Sequence, residues 1–168
     1  SVIQQLEGIS MGADEYLTKP FNTRILLSKV KSILESRELL KQKYTRVISF
    51  EPQQENTQDP DELFLLKLLR IVEVNIHDSK FVIEAILPEI GMSQSTLIRK
   101  LKTITDMTPG DIIRSVRLKK ASQLLKDQRM NISEISLAVG FEDSKYFCKI
   151  FRKQYGKTPS EYQKCMEE

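Results

Sequence analysis

From Asp61 to Tyr162 every strong apolar recurrence has a spacing close to 3.6 residues, and no alternating run of useful length interrupts it. Such a stretch can bury its apolar side chains only by forming helices, so it is expected to be all-α. Two glycines punctuate it at corresponding places. Gly91 and Gly140 each close a short apolar helix pattern, and each is followed within a few residues by a side chain able to cap a new helix. The order helix, glycine turn, helix therefore occurs twice.

The first occurrence rests on a scaffold helix expected over about Asp61–Asn75, with Leu65, Leu66, Leu69, Val72 and Ile76 inward and an acidic start that suits the helix dipole. Asp78 or Ser79 is expected to cap the next helix, through Phe81, Val82, Ala85 and Ile86 to Gly91, with Pro88 distorting its last turn. Ser93 then caps Gln94–Thr105. There Leu97, Leu101 and Ile104 share one face, while Gln94, Ser95, Ile98, Arg99 and Lys102 share the other.

Thr108-Pro109 opens a long helix through Ile112, Ile113, Val116, Leu118, Ala121, Leu124 and Leu125. Its polar side carries Arg114, Arg117, Lys119 and Lys120, which either touch phosphates or remain solvated. The second occurrence begins with Asn131 capping Ile132, Ile135, Ala138 and Val139, and turns at Gly140. Asp143 or Ser144 starts the helix Ser144–Tyr155, with Phe147, Ile150, Phe151 and Tyr155 inward and Ser144, Lys145, Cys148, Lys149 and Arg152 outward. Thr158-Pro159-Ser160 leads to a closing helix containing Tyr162.

Charge is distributed unevenly along the chain. Residues 92–164 hold 15 Lys+Arg against 7 Asp+Glu, a net of +8, whereas residues 51–91 hold 3 against 9, a net of −6. A basic C-terminal part suits a polyanion, although a solvated surface gives the same count. A helix with a polar, basic outer face after a tight turn suits the DNA major groove, where side chains reach base edges, and Arg99 is the leading candidate for guanine.

Other classes find less support. The two cysteines, Cys148 and Cys165, have no CxxC spacing, and His77 is the lone histidine, so no zinc cluster, disulfide framework or cofactor is indicated. His77 has no motif-placed nucleophile or acid beside it, so the chain is not expected to be an enzyme. No apolar run approaches the length of a membrane span, and no secretory signal layout opens the chain, so cytoplasmic folding without membrane contact is expected. RNA binding is a rival, but no aromatic platform interrupts the basic faces.

The residues Gly91-Met92-Ser93, Ser95, Leu97, Arg99-Lys100-Leu101-Lys102, Thr108-Pro109, Ile113, Arg117-Leu118, Ala121, Ile135, Val139-Gly140-Phe141 and Thr158-Pro159-x-x-Tyr162 resemble the DNA-binding domain of the AraC/XylS family. The resemblance implies a seven-helix domain over 61–168 with two helix-turn-helix units joined by a linker helix. It implies two recognition helices, Gln94–Thr105 and Ser144–Tyr155, entering successive major grooves of double-stranded DNA for transcription regulation. By motif position the base-reading candidates are Ser95, Ile98, Arg99, Ser144, Lys145 and Lys149, with Lys102, Arg152 and Lys153 on phosphates. Ile98 departs from a polar reader and suits only a thymine methyl or a packing role. RNA polymerase is a candidate further partner.

Residues 1–44 resemble the end of a response-regulator receiver domain, through Gly12-Ala13-Asp14-Glu15-Tyr16-Leu17-Thr18-Lys19-Pro20-Phe21. The resemblance makes Lys19 the phosphoryl-contacting lysine of a truncated α/β fragment. Its acidic partners belong to strands absent here, so no phosphorylation of this chain is expected. Asn22 or Thr23 caps a helix running to about Leu40 or Tyr44, and residues 45–60, polar and proline-punctuated, read as a linker. The whole then resembles the C-terminal end of a hybrid two-component regulator, the output of a phosphorelay whose parent is a candidate for inner-membrane anchoring. Leu26, Val30, Ile33 and Leu40 are expected to pack against a second copy, giving a homodimer through residues 23–44, or back onto the same chain. Arg37 weakens a coiled-coil seam. The competing reading is a protein-interaction or phosphotransfer module with only nonspecific nucleic-acid binding.

Overall fold

The structure, a computed structural model, describes residues 22–49 and 58–165. Lys19 and the rest of the expected α/β fragment up to Phe21 lie outside the described residues. The chain divides into two compact units, residues 1–40 and residues 41–168. Among the described residues there are helices and no strand.

In the first unit, helix α1 (Thr23–Ser49) begins with Asn22 as its cap, the Asn22 Oδ1 accepting from Arg24 N at 2.9 Å. Its large apolar side chains stand out from the helix: Ile25, Leu27, Val30, Leu34, Leu39 and Leu40 are all exposed, and Leu26 and Ile33 are half-buried.

The second unit takes in the last turns of α1, which continues past Tyr44 to Ser49. The linker expected over 45–60 is therefore helical at its start, and residues 50–57 lie outside the described residues. The reason is tertiary: Tyr44 and Ile48, one helical turn apart, are buried in the domain core. Tyr44 Oη donates to Asp59 Oδ2 at 2.9 Å and Lys43 Nζ to the same oxygen at 3.1 Å. Burial and the Asp59 carboxylate together push the Tyr44 hydroxyl up to about 12. Burial alone would raise the Asp59 carboxyl, but bonds from Tyr44, Lys43 and Asp61 N hold it below its ordinary value.

Seven helices follow, as the periodicity predicts: α2 (Pro60–Val74), α3 (Ile83–Ile90), α4 (Gln94–Ile104), α5 (Pro109–Asp127), α6 (Ile132–Ala138), α7 (Ser144–Tyr155) and α8 (Pro159–Lys164). Asp59 caps α2, Thr108 and Asp111 form a reciprocal capping box on α5, Asn131 and Glu134 one on α6, and Thr158 and Glu161 one on α8.

Helix α3 begins later than Asp78 or Ser79 would place it. The Asp78 side chain accepts from Lys80 N at 2.9 Å and its carbonyl from Phe81 N at 3.1 Å, so 78–81 is a turn that delivers Phe81 to the core before the helix starts. Helix α3 also runs through Pro88 to Ile90 and closes with Gly91 N on the Leu87 carbonyl at 2.9 Å. Gly91 closes it as a left-handed cap, φ 71°, the conformation glycine adopts without steric cost.

Two apolar cores result. The first gathers Leu65, Leu68 and Val72 of α2, Ile86 of α3, Leu97 and Leu101 of α4, and Ile112, Ile113 and Val116 of α5. The second gathers Leu118, Ala121 and Leu125 of α5 with Ile135, Val139, Phe147 and Phe151. Helix α5 thus belongs to both, its first half to one core and its second half to the other, and Arg117 falls between Val116 and Leu118 where they meet.

Candidate nucleic-acid interface

Each core holds one helix-turn-helix. In the first, Ser93 fixes the start of α4, its Oγ accepting from Thr96 N at 3.3 Å. Leu97, Leu101 and Ile104 anchor the inner face, which leaves Gln94, Ser95, Ile98, Arg99 and Lys102 exposed on the other. Ser95 Oγ lies 3.2 Å from Ser93 Oγ, the Arg99 carbonyl accepts from Thr103 Oγ1 at 2.9 Å, and the Arg99 side chain is exposed. Lys100 differs: its Nζ pairs with Asp61 Oδ1 at 2.9 Å and lies 4.6 Å from the Phe64 ring centre, so it holds α4 to α2.

In the second unit Asp143 Oδ1 accepts from Lys145 N at 2.7 Å and Tyr146 N at 3.2 Å, starting α7. Phe147 and Phe151 are fully buried, and Phe151 packs 4.6 Å from the Tyr155 ring and 5.4 Å from that of Tyr162, fastening α7 to α8. The opposite face presents Lys145, Lys149, Arg152 and Lys153 exposed and Ser144 half-buried. Cys148 is half-buried against the second core, and desolvation raises its thiol, so it is packing rather than a reactive group.

The sequence-derived candidates therefore fall on the outer faces of two helices, three on each for bases. Among the described residues Arg99, Lys102, Lys145 and Lys149 make no ion pair, while Arg152 lies in the field of Glu161. Of the α5 cations, Lys120 is exposed and Arg114 pairs with Asp111 at 2.9 Å. Arg117 corrects the expectation of a phosphate-facing or solvated side chain, because it is only 9% exposed. Burial lowers its pKa, opposed in part by the Asp78 carboxylate.

Tyr146 was not singled out by spacing, yet it is 46% exposed beside Lys145 and stacks edge-on to Phe141, with ring centres 6.3 Å apart. Its place one residue before Phe147, turned off the buried face, was the available signal. Tyr146 and Ile98, one from each outer helix, line a groove of about 490 Å³ within residues 41–168, between the two helix-turn-helix halves, with Ile113, Arg117 and Phe141. Among the described residues no cluster could hold a metal ion, and no helix is long and apolar enough to cross a membrane.

Paired helix-turn-helix units sharing one helix are a DNA-binding architecture, and the helix-turn-helix domain family matches residues 88–164. A transcriptional regulator from Chromobacterium violaceum, described as AraC-type, is 27% identical with a TM-score of 0.59, covering 62% of this chain and 93% of that one. The transcriptional activator RhaR of Salmonella dublin is 36% identical over 101 residues, 60% of this chain and 36% of that protein. Histidine kinase P4 of Formosa agariphila is 42% identical over 163 residues, 97% of this chain but only 12% of the kinase. The chain thus carries, in α2–α8, the fold of the AraC-type helix-turn-helix domain. It spans a minor part of the curated relatives it matches.

Proposed function

We propose that the chain reads specific sequences in double-stranded DNA by placing α4 and α7 in successive major grooves, with two boxes on the order of 10 base pairs apart. The observation that carries this reading is that both second helices are anchored by one face while the other stays open. Arg99, Lys102, Lys145 and Lys149 there are not neutralised by carboxylates of the described residues. Ser95, Ile98 and Arg99 read one box; Ser144, Lys145 and Lys149 read the other. Lys102, Arg152 and Lys153 hold phosphates and set register without carrying sequence information. Titrating labelled duplex DNA, single-stranded DNA and duplex RNA of one sequence tests this: duplex DNA binds tightest, and equal binding of all three contradicts it.

Within the longer protein, this domain is the output of a two-component phosphorelay, a reading supported by the 42% identity to part of a histidine kinase. Lys19 then belongs to a receiver remnant that, with its helix, takes in residues 1–44, and residues 45–60 join it to the output domain. The exposed apolar side chains of α1, including Val30 and Leu40, support self-association through residues 23–44. RNA polymerase is the further partner that an activator role requires.

A further inference from the structure

Helix α5 is shared by both cores, so the relative placement of the two outer helices depends on what else joins the halves. Arg117 stands at that joint. Its Nη2 donates to the carbonyl of Asp78, in the turn before α3, at 2.6 Å. Its guanidinium carbon lies 5.7 Å from the ring centre of Phe141, in the turn of the second unit. Gly140, φ 82°, brings that turn so close that a Cβ there would collide with the Ile76 carbonyl and would lie 3.0 Å from Arg117 Nε and Cζ. Ser79 Oγ donates to Glu142 Oε1 at 2.8 Å across the same joint.

Beside this joint the halves part. The groove of about 490 Å³ lies between Ile98 of α4 and Tyr146 of α7, so these two side chains face open space instead of packing together. A rotation of one half about α5 would change the placement of α7 relative to α4. Arg117 resists that rotation because one planar group engages both turns at once: the Asp78 carbonyl on one side, Phe141 and Gly140 on the other.

We propose that Arg117 is the positioning residue that fixes the spacing and phase of the two reading helices, and thereby selects the distance between the two DNA boxes. The inference rests on the bipartite reading above. A one-base-pair change in separation turns one box by roughly 35° about the duplex axis relative to the other, so a rigid joint discriminates such changes and a loose one tolerates them.

The test measures affinity for duplexes whose two boxes are moved apart or together in single base-pair steps, with the wild type, Arg117→Met and Arg117→Lys. Methionine keeps the apolar stem and removes the buried charge, a replacement that cores often accept; Phe81 N still satisfies the Asp78 carbonyl at 3.1 Å. The wild type should lose about tenfold in affinity one base pair from its optimum, comparable to a mismatched base pair. In Arg117→Met the loss should fall below about threefold, with box preferences unchanged, and Arg117→Lys should lie between. A substitution that merely weakens the fold would lower affinity equally at every spacing. A spacing profile as sharp as the wild type's in both variants overturns the proposal, and if Arg117→Met does not fold, an unaltered profile in Arg117→Lys does so alone. Absence of any two-box optimum in the wild type would instead count against the bipartite reading.

Discussion

Arg117 Nη2 and the Asp78 carbonyl, 39 residues apart in the chain, are joined at 2.6 Å, and this bond runs from the helix shared by both cores to the turn that leads into α3. Periodicity placed Arg117 on a polar stripe with Arg114, three residues earlier. That rule presumes a helix with one buried and one wet side. Helix α5 instead lies between two cores, with Ile112, Ile113, Ser115, Val116, Leu118, Ala121, Ser122 and Leu125 buried around it, so Arg117 is enclosed as well.

Phe147 is the keystone of the second unit, fully buried between Phe141 at 5.4 Å and Phe151 at 5.6 Å. Phe147→Ala should cost about 3–5 kcal/mol through lost burial and the cavity left behind. Chemical denaturation checks the magnitude. A loss under about 1 kcal/mol would mean that the ring is not packed as described.

Tyr44 makes the attachment of α1 to the domain sensitive to alkali. Its hydroxyl pKa, about 12, lies above that of the unfolded chain. The associated stability is fully present below about pH 10 and is lost as pH rises through the folded value. Thermal melts between about pH 9 and 12 should fall more steeply for the wild type than for Tyr44→Phe. Parallel curves would contradict this assignment.

Lys102 and Lys153 are predicted to contact phosphates only. Removing either should reduce the steepness of the log affinity against log salt plot by about 0.9, with the preferred sequence unchanged. An unchanged slope would remove that residue from the phosphate set, and a changed sequence preference would make it a base reader.

The exposed stripe of α1 predicts self-association. Sedimentation of the whole chain should show a concentration-dependent dimer, and Val30→Lys, at a side chain 44% exposed, should shift it to monomer. A wild-type monomer at all concentrations contradicts the dimer.

What was legible in the sequence was local. Ser93 and Asn131 announced helix starts because a cap needs only a side chain and a backbone amide two or three residues on, and Pro109 did so because proline suits a first helical turn. The outer faces of α4 and α7 followed from where Leu97, Leu101, Phe147 and Phe151 had to go. What was not legible depended on distant partners. Asp78 looked like a cap but makes a turn because Phe81 must reach the first core. Helix α1 outlasted its expected end because Tyr44 and Ile48 are buried in the first core. Gly140 was read as a turn residue, but the approach of the Ile76 carbonyl that also requires a missing side chain there comes from the other half.

The most direct measurement of bipartite reading is selection of bound duplexes from a random pool with the wild type, Arg99→Ala and Lys149→Ala. Two enriched boxes about one helical turn apart are predicted, Arg99→Ala losing preference in one and Lys149→Ala in the other. Binding without an enriched sequence, or both variants losing the same box, would contradict it.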